Sequence, residues 1–123
     1  MKSYRDLEIY HSAYQLAIKV HKMTLTLPKY EMYEQGSQVR RSTKSIKDNI
    51  VEGYGRKRYK QDFIRFLVYA HSSCDEATSQ LTMIDEIHFE SKGLTELISE
   101  YEILGRKINK FIDYVEKHWN ENQ

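Results

Sequence analysis

Apolar residues along the chain recur in alternating steps of three and four, the spacing of one face of an α-helix. Ile9, Ala13, Leu16, Val20, Met23 and Leu27 mark a first helix over 6–27, stopped by Pro28, whose ring cannot continue a helix. Val39, Thr43, Ile46, Ile50 and Gly53 mark a second over 37–53, with Gly53 and Gly55 suited to its C-terminal end. A third, over 59–89, rests on seven unbroken steps through Phe63, Leu67, Ala70, Cys74, Ala77, Leu81, Ile84 and His88. Ser91-Lys92-Gly93 reads as a turn and Thr95 as an N-cap. Leu97, Tyr101, Leu104, Ile108, Phe111 and Val115 then carry a fourth helix over 95–117. Short connections between long helices favour antiparallel neighbours, so the expected fold is all-α: an antiparallel up-down-up-down four-helix bundle, one domain over 1–123.

The second helix is more differentiated than a core element requires. Beside its apolar stripe it carries a basic stripe (Arg40, Lys44, Lys47) and a polar stripe (Ser42, Ser45, Asn49, Glu52). If the following turn centres near Lys57, antiparallel pairing sets residues whose numbers sum to about 114 opposite one another: Gln38 with Glu76, Arg41 with Ser73, Ser45 with Tyr69. Glu76 is then expected to accept charge-assisted bonds from Arg41 or Gln38, and Asn49 to bond locally. Gln38, Arg41, Ser45, Asn49, Glu52, Ser73 and Glu76 together form the expected structural polar network.

The third helix has a second apolar face in Ile64, Phe66, Val68 and Tyr69. Either both neighbouring helices cover it or a homo-oligomer interface does, which makes these four the oligomer-interface candidates. Gly105 within the fourth helix points to a close helix approach.

Charge adds an asymmetry that the overall formal value of +1 conceals. Residues 1–60 hold 13 Lys/Arg against 6 Asp/Glu, net +7, and residues 61–123 hold 6 against 12, net −6. The excess gathers in the basic stripe and in the loop Arg56, Lys57, Arg58 and Lys60, with Tyr54 and Tyr59 interleaved. Cations beside aromatics suit phosphate contact and base stacking, so these nine residues are the nucleic-acid-binding candidates. The alternative is that the same surface meets the acidic half, within one chain or in the next subunit.

Catalytic chemistry finds little support. Glu8-x-x-His11 and Asp85-x-x-His88 have the spacing of di-iron ligands, but in this topology they lie at opposite ends of the bundle. His71 and Asp75 do not complete a metal site, and Cys74 lies on the core stripe as a small buried hydrophobe. Gly53-Tyr54-Gly55-Arg56 lacks the context and the Lys-Ser/Thr ending of a phosphate loop. No catalytic residue, cofactor or metal is expected. The lone cysteine and the polar N-terminal residues suggest a cytoplasmic setting, and no apolar run approaches the ~18 residues needed to cross a bilayer.

One pattern spans most of the chain: Gln38-x-Arg40-Arg41, Ser45-Ile46-x-x-Asn49-Ile50-x-Glu52-Gly53-x-Gly55-Arg56, Phe63-x-x-Phe66-Leu67 and Ala70-x-Ser72-Ser73-x-x-Glu76, with Asp6-Leu7 and Leu27-Pro28 before them. It resembles the 23S rRNA-intervening sequence proteins. Gln35-Gly36 departs from relatives that are apolar there. The resemblance implies a four-helix bundle assembled with itself, as a ring-like pentamer. A related branch comprises the accessory proteins of diversity-generating retroelements, which implies RNA or DNA, and a reverse transcriptase or other protein, as partners. It implies no enzymatic activity.

Overall fold

A computed structural model describes residues 2–120. After a single 3-10 turn at Tyr4–Asp6, the helices are α1 (Glu8–Thr24), α2 (Lys29–Tyr33), α3 (Gln35–Gly55), α4 (Lys60–His88) and α5 (Thr95–His118). Every described residue of the four long stripes is buried or half-buried, and they meet in one core. Each long helix packs on two others, in the cyclic order α1, α3, α4, α5. Across three seams paired residues run in opposite order: Ser42–Gln80 and Ser45–Ser73, Phe63–Phe111 and Cys74–Tyr101, Glu8–Lys107 and Lys19–Glu100, while Arg40–Thr24 joins α3 to α1. The helices therefore alternate in direction around the bundle.

Two boundaries differ from expectation. The first helix ends at Thr24, not at residue 27, because the chain turns early enough to bury Leu27 and lets Pro28 open α2, where its missing N–H costs nothing. The five-residue α2 was not expected, and α3 starts at Gln35 and continues to Gly55. Burying Glu31 at 3% exposure fixes α2 in place. Its carboxylate accepts from His88 Nε2 at 2.7 Å and from Gln35 Nε2 at 2.8 Å, binding three helices at one end of the bundle.

The N-cap of α5 is also corrected. Thr95 is the first residue of that helix, after Leu94. No side chain caps the helix; the buried Asp85 of α4 instead holds the turn that leads into it, its Oδ1 accepting from the Gly93 and Leu94 N–H groups, each at 3.0 Å. Glu90 and Ser91, with φ of 56° and 61°, make the reversal that brings them together.

Close helix approach occurs at Gly53, where an added Cβ would lie 3.1 Å from Phe66 Cβ and 3.3 Å from the Phe63 carbonyl oxygen. Gly105, where it was expected, leaves 3.7 Å to Cys74 Sγ, ordinary contact that an alanine satisfies.

Candidate nucleic-acid interface

The basic stripe of α3 divides once its partners are known. Arg40 is a structural residue: Nη1 donates to Thr24 Oγ1 at 2.7 Å and Nη2 to the Met32 carbonyl at 3.0 Å, tying α3 to the end of α1 and to α2. Lys47 sits 2.6 Å from Asp48, while Lys44 is exposed and, among the described residues, has no carboxylate partner. Both lysines line a groove between α1 and α3, with Tyr14, Ile18 and Lys22 on its other side.

The loop that follows divides in the same way. Arg56 is held between Glu52 at 3.0 Å and Asp62 at 3.6 Å, with its guanidinium over the Phe66 ring. Lys57 folds over the Tyr54 ring at 4.2 Å, and its carbonyl accepts from Trp119 Nε1 at 3.1 Å. Arg58 is exposed, and Tyr59, the residue that caps α4, is 63% exposed. Lys60, the first residue of α4, is half-buried.

Tyr54 does not belong to the exposed set. At 5% exposure it packs edge-on against Phe63, which also meets Phe111 and Trp119. Its ring supports the loop from below and offers no face for a base.

Carboxylate pairing is the decisive electrostatic observation. Among the described residues, the Arg56–Asp62 pair is the sole ion pair within 4.0 Å that joins the nine candidates to the acidic half of the chain. Among the described residues, Arg41, Lys44, Lys57, Arg58 and Lys60 have no carboxylate within that distance. Ion pairing among the described residues engages Lys47 and Arg56 and leaves these five cations without a carboxylate partner.

Only part of the expected polar network forms, and in a shifted register. Ser45 and Ser73 hydroxyls share a bond of 3.0 Å, Ser42 donates to Gln80, and Asn49 Nδ2 donates to the Ser45 carbonyl and hydroxyl. Numbers of touching residues sum to 118 or 122 in place of 114. Helical side chains lean toward their own N-terminus, so partners on antiparallel helices lie further along each chain than backbone arithmetic places them. Arg41 consequently donates to Ser37, and no Arg41–Glu76 ion pair forms among the described residues. Gln38, Arg41 and Glu76 line one polar cleft without bonding to each other, and Glu52 joins Arg56 instead of α4.

The interface candidates separate by exposure: Ile64 and Phe66 are half-buried, while Val68 and Tyr69 are each 47% exposed. Cys74 donates to the Tyr101 carbonyl at 3.2 Å, and burial pushes its thiol up to about 12, which leaves it protonated at neutral pH. Among the described residues, no three His, Cys, Asp or Glu side chains converge as metal ligands would, and no helix is long and apolar enough to cross a membrane. Sequence reasoning missed Glu31 altogether. Its signal was available only as Gln35 four residues on, since His88 lies 57 positions away.

Residues 5–110 match the family model of the 23S rRNA-intervening sequence protein, which is most of the chain. The chain belongs to that family. Every motif in the resemblance lies inside the matched segment, whereas Phe111, Val115 and Trp119, which close the core beneath the basic loop, lie beyond it. No curated protein matches the chain significantly.

Proposed function

We propose that this member of the 23S rRNA-intervening sequence protein family is a non-enzymatic, homo-oligomeric accessory protein of the cytoplasm that binds nucleic acid through the basic surface around the α3–α4 loop. The observation carrying this reading is the set of cations without a carboxylate partner, Arg58 and Lys60 above all, beside the exposed ring of Tyr59. Such cations attract phosphates, the tyrosine stacks on a base, and repetition in an oligomer multiplies a weak site. A reverse transcriptase or another protein that handles nucleic acid is the protein partner compatible with this role.

The test is binding of RNA and DNA to the intact protein and to an Arg58→Ala/Lys60→Ala variant across a salt series. Binding should weaken with salt, and the variant should bind more weakly with a shallower salt slope. Equal binding by both proteins, or none by either at low salt, overturns the reading. The competing reading is a self-assembling structural module without a nucleic-acid ligand, favoured by the lysines lining the α1–α3 groove. That reading predicts an oligomer that binds neither RNA nor DNA even at low salt, whereas the nucleic-acid reading predicts binding that salt weakens.

A further inference from the structure

Two surfaces on different sides of the bundle leave large apolar side chains uncovered, and their charges are opposite. The first is the groove of about 350 Å³ between α1 and α3. Tyr14 and Ile18, 42% and 38% exposed, lie in it, and Leu25, at 58%, stands two turns beyond Ile18, just past the end of α1. Lys22, Lys44 and Lys47 rim it. The second is the outer face of α4, where Met83 and Ile87 are each 53% exposed and continue the line of Val68 and Tyr69. Asp75, Glu76, Glu86 and Glu90 flank these residues, all exposed, and residues 66–91 include no lysine or arginine.

We infer that copies of this chain associate head to tail, the α4 face of one copy seated in the lysine-rimmed α1–α3 groove of the next. This rests on the homo-oligomeric part of the function proposed above and supplies its interface. Each surface offers exposed apolar groups at helical spacing, so the contact buries a row of side chains from each copy. Charge selects the pairing. Joining groove to groove would oppose lysines with lysines, and joining α4 to α4 would oppose carboxylates with carboxylates, both unfavourable. Unlike surfaces joined in this way form a heterologous contact, which closes into a ring if its rotation permits and otherwise propagates as a filament.

The assignment also divides the basic residues by task. Lys44 and Lys47 go to the subunit contact, while Arg58 and Lys60 remain on the loop for phosphate. Val68 and Tyr69 keep a place at the interface, whose centre moves toward Met83 and Ile87.

Charge reversal on the full chain tests the pairing. Lys22→Glu/Lys44→Glu and Glu86→Lys/Glu90→Lys variants are compared by light scattering without nucleic acid, with helicity checked by circular dichroism. Each variant alone should lose the wild-type mass, and their equimolar mixture should recover species larger than either, because the Glu-rimmed groove then meets the Lys-bearing stripe. Wild-type mass in either variant alone, or no recovery on mixing, overturns the interface. As a second measurement independent of charge, mixed Ile18→Cys and Ile87→Cys chains should form a cross-linked dimer that neither gives alone. A dimer from one variant by itself points to like surfaces meeting and overturns the assignment. A monomeric wild-type chain overturns both this interface and the oligomeric half of the proposed function. Loss of assembly recovery with salt-dependent RNA binding retained sinks the interface alone, and absent RNA binding with recovery intact sinks the ligand alone.

Discussion

The two ends of the bundle are closed by different chemistry. Where α1 ends and α3 begins, closure is polar: buried Glu31 accepts from His88 and Gln35, Arg40 reaches Thr24 and the Met32 carbonyl, and Asp85 holds the turn into α5. At the opposite end closure is aromatic: Phe63 is enclosed by Tyr54, Phe111 and Trp119, with ring centroids 6.2, 5.9 and 5.2 Å away. The candidate basic loop stands on the aromatic end. Packed rings hold their shape without reference to pH or salt, so a loop that meets phosphates there has a footing that its own charges do not disturb.

The largest test of this contrast is Phe63→Ala. Removing a fully buried ring that three others contact should cost about 3–5 kcal/mol, read from denaturant midpoints. That loss should be nearly independent of pH, and a small or strongly pH-dependent effect would break the contrast. His88→Ala at the polar end should cost less, about 1–3 kcal/mol, because the Glu31 carboxylate keeps Gln35 as a donor but loses its closest one.

Acidification sharpens the same comparison. The hydrogen bond from His88 holds the Glu31 carboxyl below its ordinary 4.5, against desolvation that pushes it up, with Gln35 adding to the lowering. A carboxyl whose folded value is depressed contributes stability that is present above its unfolded value and lost as pH falls through the folded one. Stability of the wild-type chain should therefore decline more steeply below 4.5 than that of Glu31→Gln, and parallel acid limbs would show that Glu31 does not carry the difference. Between the two ends, Gly105→Ala should raise stability by up to about 1 kcal/mol, since the added Cβ meets only ordinary contacts and the helix gains propensity. Thermal midpoints would check the sign.

What the sequence conveyed follows the range of the forces involved. The four long helices and their core stripes were legible because periodicity is local: each step from Phe63 to Ile84 needs only its neighbours. Tyr54 was misread as a surface ring because its position beside Arg56 and Lys57 suggested a charged loop, while its packing depends on Phe63, nine residues away on another helix. Arg40 looked like a member of an exposed stripe because its acceptors, Thr24 and Met32, lie on other elements. The α3–α4 contact was correctly read as polar, with the wrong partners. Composition placed hydroxyls and amides on facing stripes, but register depends on how side chains lean, which residue numbers do not encode.

The Asp85 turn contacts have a kinetic consequence. They join groups only eight and nine positions apart, so the α4–α5 corner closes a short loop, and short loops lose little entropy on closing. The α1–α5 contacts Lys19–Glu100 and Glu8–Lys107 instead span 81 and 99 positions. A chain with this contact map should close the α4–α5 corner before the α1–α5 seam. In stopped-flow experiments Asp85→Ala should then slow refolding more than it speeds unfolding, whereas Leu16→Ala in α1 should do the reverse. The buried carboxylate that holds the α4–α5 turn would thus also influence the order in which the bundle assembles.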